Sequence, residues 1–206
     1  MATSSTLTTL LPIGEFVRQL RTLPEQAFDD IGAMETWIKH RPVDPESLAP
    51  YLVWDRQHYT RNLVDHTEMY DLIAICWETG QGSSIHNHKG QHCWMSVPMG
   101  RLIVQNYQVL VEDVERHYCE IEPAERFEIH AVKPAAVQPE TPVHEVLNPR
   151  EFGGRAVSLH VYSRPFNRCT VYSMEKRTCG EIELHFTSMY GKLSVAGSQS
   201  SVVGVR

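Results

Sequence analysis

Apolar side chains recur at helical spacing near the start of the chain and at alternate positions through most of the remainder. Ile13, Phe16, Val17, Leu20 and Leu23 fall on one helical face, and Ile31, Met34, Trp37 and Ile38 repeat the pattern behind Asp29 and Asp30, which can cap. From Tyr59 onward the period shifts towards two. The runs YTRNLV, YDLIAICWE, HCWMSV, GRLIVQNYQVL, ERFEIHAV, VHEVLN, AVSLHVYS and CTVYSM are short and β-branched or aromatic, and Gly, Pro, Asn and acidic residues separate them. Closely spaced strands divided by turns predict a sandwich or barrel rather than alternating β and α units. No internal repeat or linker divides the chain. The expected plan is a single mostly β domain over 1–206: a helical cap at about 10–55, a barrel at about 58–190, and a small, polar, mobile tail from about 193.

Composition narrows the function more than the fold. The 206 residues are 42% apolar and 21% charged, with a formal charge of −6, as in an ordinary globular protein with no basic footprint for nucleic acid or anionic lipid. The longest apolar stretch, Leu72 to Trp77, is far too short to cross a bilayer. No basic residue precedes Arg18, so neither a secretory signal nor an organelle transit peptide is expected, and the expected location is cytoplasmic. Five scattered cysteines (Cys76, Cys93, Cys119, Cys169 and Cys179) form no C-x-x-C pair, which speaks against a disulfide framework or a zinc ribbon. A monomer acting on a small molecule, without nucleic acid or membrane partners, is the expectation.

The eleven histidines supply the candidate chemistry. His86 and His88 lie two apart in GSSIHNHKGQHCW, so on an extended segment both imidazoles face the same way and can reach one ion. A third ligand must come from elsewhere, and His144 sits on a later strand behind a Pro-rich turn. Neutral imidazoles on one side of an ion leave positions open for substrate, a catalytic rather than structural arrangement. Imidazole also admits zinc, copper or nickel, so the ligand set alone does not select iron.

Around these residues the sequence resembles the cupin family. Gly80, His86, His88 and Gly100 match its first motif, with Cys93 at the position of the usual glutamate. Pro139, His144 and Asn148 resemble the second, though Lys133 and Thr141 replace its glycines. Exchanging glutamate for cysteine removes an anionic ligand and leaves a more positive site, suited to a thiolate.

Within cupins the chain is similar to the cysteine dioxygenase family of the eukaryotic kind, from about Tyr59 to Tyr172, through YTRNLVD, GSSIHNHKGQHCW, the His144 segment and SLHVYSRPF. The resemblance implies a cupin β-barrel (jelly roll) that uses Fe(II) and O2 to convert L-cysteine to cysteine sulfinate. By residue it implies His86, His88 and His144 as iron ligands, with Arg61 gripping the substrate carboxylate beside Tyr59. It implies a relay of Ser158, His160 and Tyr162, and a thioether joining Cys93 to Tyr162. Cys169 matches a further cysteine near the pocket. Read without the resemblance, AVSLHVYS also fits a half-polar strand facing solvent.

Arg164 is the main departure, standing where the family often has proline. If relatives use a cis bond there, this chain needs a non-proline cis peptide or a different turn. Two other readings remain: a dioxygenase for another thiol such as 3-mercaptopropionate, whose relatives tend to carry glutamine at the position of Arg61, and a cupin that binds metal without turnover.

Overall fold

The computed structural model describes residues 9–130, 135–137 and 141–194. The expected mobile tail lies almost wholly outside them, as do Lys133 and Pro139. Two helices open the described chain, α1 (Ile13–Leu20) and α2 (Ile31–Lys39), each followed by a 3-10 turn, at Glu25–Phe28 and Pro45–Tyr51. Asp30 caps α2 as its sequence predicts, its side chain accepting from the Ala33 N–H at 2.9 Å. Thirteen strands follow: β1 (Thr60–His66), β2 (Asp71–Trp77), β3 (Ile85–His86), β4 (His92–Met99), β5 (Arg101–Asp113), β6 (Tyr118–His130), β7 (Ala135–Ala136), β8 (Val143–Leu147), β9 (Ala156–Ser163), β10 (Arg168–Ser173), β11 (Thr178–Glu183), β12 (Ser188–Met189) and β13 (Lys192–Leu193).

These strands form two sheets, one in the order β13-β12-β1-β2-β9-β4-β7 and the other β11-β10-β3-β8-β5-β6. The main core lies between them, where Ile73, Ile75 and Trp77 of β2 and Met95 and Val97 of β4 meet Leu102 and Val104 of β5, Ile129 of β6 and Val146 of β8. A second core covers the outer face of the larger sheet. Phe16, Leu20, Met34, Ile38 and Leu48 pack there against Leu72, Ala74 and Cys76 of β2 and Val157, Leu159 and Val161 of β9. The larger sheet is thus covered on both sides, which is why β2 and β9 are buried along their whole length. For β9 the solvent-facing alternative is excluded. Its odd-numbered residues meet the cap, and Ala156, Ser158, His160 and Tyr162 turn into the barrel.

Polar ties set the cap on the sheet. Arg21, at the end of α1, donates to both carboxylate oxygens of Asp65 at 2.9 and 2.5 Å, and the buried Tyr70 hydroxyl donates to Asp65 Oδ2 at 2.6 Å. Where β4 turns into β5, Gly100 has φ 76°, and a Cβ there would lie 2.6 Å from the Arg155 carbonyl oxygen, so only glycine fits. The Ser163–Arg164 peptide is cis. The Arg164 N–H donates to Gln91 Oε1 at 2.6 Å and its guanidinium pairs with Glu25 at 2.5 Å.

Two outcomes differ from the sequence expectation. Strand β6 begins at Tyr118 instead of Glu125, because it pairs with β5 over most of their length. TCGEIE, polar in pattern, becomes β11 by pairing with β10 across its full length.

Candidate functional site

Strand pairing assembles the histidines. His86 ends β3 and stands directly opposite His144 of β8 in an antiparallel pair, while His88 follows two residues later. Ligand-capable atoms of all three lie within 4.8 Å of one another, and no other cluster of this kind occurs among the described residues. His86 Nδ1 donates to the Ser84 carbonyl at 2.9 Å, which leaves Nε2 as the bare lone pair. His86 Nε2 stands 3.3 Å from His88 Nε2. Two nitrogens each about 2.1 Å from a shared ion stand about 3.0–3.4 Å apart, so this spacing fits a metal. Burial pushes His86 down to about 4, and the nearby Arg61 charge adds to it. Burial, followed by the neighbouring rings, holds His88 and His144 well below the ordinary histidine range. All three are neutral donors near pH 7. Cys93, at the position of the motif's glutamate, is not part of this cluster.

Strand β9 presents the hydrogen-bonded row. Trp77 Nε1 donates to Ser158 Oγ at 2.9 Å, Ser158 Oγ meets His160 Nε2 at 2.8 Å, and His160 Nδ1 meets the Tyr162 hydroxyl at 3.2 Å. Because Trp77 can only donate, the buried Ser158 hydroxyl satisfies its own proton by donating to His160 Nε2. His160 then carries its proton on Nδ1 and donates it to the Tyr162 oxygen. Burial foremost, then the Arg61 charge, pushes His160 down to about 3, so the ring stays neutral and the chain of bonds keeps one direction. Burial and the adjoining Cys93 raise Tyr162, which remains a phenol whose proton is left for an acceptor in the pocket. Cys93 lies opposite Tyr162 in the β4–β9 register, its sulfur 3.8 Å from His160 Nδ1, and burial pushes its thiol up.

Tyr59, Arg61, His86, His88, Tyr162, Phe166 and Cys169 line a pocket that opens on these groups. The Arg61 guanidinium carbon stands 5.8 Å from the centre of the Tyr162 ring and 5.9 Å from that of Phe186. Its Nε is buried without a hydrogen-bond partner. A guanidinium with an unsatisfied N–H, on the wall of a pocket that two of the three neutral imidazoles also line, can take a carboxylate. Tyr59 stacks on Trp77 with ring centres 4.7 Å apart. Cys169 is buried, and burial foremost pushes its thiol up to about 11.

Of the candidate site residues, Tyr59, Arg61, His86, His88, Tyr162 and Cys169 line one pocket, His144 stands beside its two histidines, and Ser158, His160 and Cys93 lie behind Tyr162. Two that the sequence reading passed over belong with them. Trp77 begins the hydrogen-bonded row, and Phe166 stands 5.2 Å from Tyr162 and 5.7 Å from His88, ring centre to ring centre. In the sequence Trp77 reads only as an apolar strand residue; its indole N–H gains meaning once β2 is known to lie beside β9.

Comparison with known proteins identifies the family. The profile of the family described as "Cysteine dioxygenase type I" matches residues 2–175. Cysteine dioxygenase type 1 of Homo sapiens is 30% identical over 149 residues, 72% of this chain and 72% of the relative. Its counterpart from Danio rerio is 29% identical over 180 residues, 86% of this chain and 87% of the relative. The chain belongs to the cysteine dioxygenase type I family, and is thereby an oxygen-dependent dioxygenase of the oxidoreductase class.

Proposed function

We propose that this chain adds both atoms of O2 to the sulfur of L-cysteine, giving cysteine sulfinate, with Fe(II) held by His86, His88 and His144. The observation that carries the reading is the cluster of three neutral imidazoles at a pocket lined by two of them, by Arg61 with its unsatisfied N–H, and by the Tyr162 phenol. When bound, the iron supplies redox chemistry and the positive charge that favours a thiolate over a thiol.

The chain's own residues do the positioning. Arg61 pairs with the substrate carboxylate, with Tyr59 beside it, and so points the thiol and amine towards the histidines. Phe166 and the stacked Tyr59–Trp77 pair exclude water and strengthen those contacts. Tyr162, oriented by His160, Ser158 and Trp77, donates its proton in a hydrogen bond to the reacting sulfur or oxygen. Cys93 and Tyr162 are suited to a thioether between the cysteine sulfur and a ring carbon of the tyrosine; forming it removes two hydrogens, with O2 as the oxidant. Cys169 completes the wall as a neutral thiol. We place the chain in a reducing cytoplasm, which suits five buried cysteines without a disulfide, and infer that it works as a single cupin domain and a monomer.

The test is oxygen uptake by the iron-loaded protein with L-cysteine and with 3-mercaptopropionate, together with product identification. Cysteine sulfinate formed with the larger kcat/KM supports the reading. A clear preference for 3-mercaptopropionate would replace the substrate, and metal uptake without oxidation of either thiol would leave a binding protein.

A further inference from the structure

We propose that Asn87 is a positioning residue, whose side-chain amide fastens the His86–His88 segment to β10 and thereby fixes where His88 stands. This rests on reading the three histidines as the metal ligands.

The ladder between β3 and β10 contains two pairs, Ile85 with Tyr172 and His86 with Val171. His88 lies beyond it. The next residues, Lys89 and Gly90, turn the chain sharply through positive φ, at 54° and 77°. The buried His88 Nδ1 has no hydrogen-bond partner, so no polar contact there orients the ring. The residue between the two histidines takes up that task. The Asn87 N–H donates to the Thr170 carbonyl at 3.1 Å, and the Thr170 N–H donates back to Asn87 Oδ1 at 3.1 Å. The side chain thus supplies the acceptor that a continuing strand would have offered. Lys89 N–H donates to the same oxygen at 3.3 Å, across the start of the turn.

The other end of the amide is held equally. Asn87 Nδ2 donates to the Tyr172 hydroxyl at 2.9 Å, and Tyr172 donates its own proton to Glu112 Oε1 at 2.6 Å. A carboxylate only accepts, so the direction of this chain is set from Glu112 inward, and the amide has one orientation that satisfies every partner. Thr170 and Tyr172 are themselves buried, at 1% and 5% exposure, which makes the anchor rigid. Asn87 points away from the metal cluster yet fixes the backbone on which both neighbouring histidines are carried.

The experiment measures Fe(II) binding by the full apo-protein under anaerobic conditions, in competition with a chromophoric chelator, alongside the melting temperature of the apo form. Asn87→Ala should weaken Fe(II) binding about 10- to 100-fold, the range for removing a group that orients a ligand. A lower apo melting temperature with an unchanged Fe(II) dissociation constant overturns the proposal. A second pair of variants reads the direction of the network. Asn87→Asp puts a second carboxylate on Tyr172, whose single proton cannot serve both. Adding Glu112→Gln restores a donor and an acceptor, with the chain running the opposite way. Although that change removes a negative charge, the double variant should bind Fe(II) more tightly than Asn87→Asp alone; equal or weaker binding overturns the proposal. A parent protein that takes up no Fe(II) shows instead that the histidine reading has failed, and the proposal falls with it.

Discussion

Arg61 and Tyr162 line the same pocket side by side, and truncating each should fail differently. Removing a partly buried guanidinium from a charge-assisted pair costs several kcal/mol, so Arg61→Ala should lower kcat/KM for L-cysteine by roughly a hundredfold or more, chiefly through KM. Steady-state rates with a thiol lacking a carboxylate, such as cysteamine, supply the control, because that substrate should be affected far less. Unchanged cysteine turnover in Arg61→Ala would refute the assignment. Tyr162→Phe keeps the ring against Phe166 and His88 but deletes the proton, so kcat should fall about 10²-fold with a smaller change in KM. That variant also removes the thioether's phenol, and Cys93→Ser separates the two effects. It should abolish any doublet on a denaturing gel while retaining more turnover than Tyr162→Phe.

Among the elements, β9 and α1 show what was legible in the sequence. The bounds of β9 match the expected run AVSLHVYS, since alternation is written into its residues. Its burial was not legible, because nothing in that run reveals that α1 and α2 cover its odd-numbered face. The His86–His88 pair could be read from spacing alone. His144 needed the cupin pattern, since its pairing with His86 joins strands far apart in sequence. The cap's attachment was equally hidden, as Arg21 and Asp65 carry no local signal of their contact. Burial pushes Asp65 up, but the hydrogen bonds from Arg21 and Tyr70 outweigh it and hold the carboxyl below its usual range. A depressed folded-state value stabilises the protein above the ordinary aspartate pKa, and that contribution disappears as pH falls through the folded-state value. Asp65→Asn should therefore cost about 2 kcal/mol at pH 7, with the gap to the parent closing below about pH 4. Urea denaturation at a series of pH values checks both statements.

For the whole molecule, His86 and His88 lie on one stretch of chain and His144 on a strand more than fifty residues later, so a metal held between them should add to global stability. At an Fe(II) concentration about 100 times the dissociation constant, linkage gives about 2.7 kcal/mol. In a protein of this size that raises the melting temperature by roughly 5–10 °C. Anaerobic calorimetry with Fe(II), then with a chelator, should show the gain and its reversal, together with loss of sulfinate formation. The two-sided burial of β9 has a genetic corollary. Inserting or deleting one codon within Ala156–Ser163 would exchange its faces, sending serine, imidazole and phenol against the helices and valines into the reaction chamber. Chemistry and cap docking share a single reading frame there, so indels should be purged from this stretch even where individual side chains are free to drift.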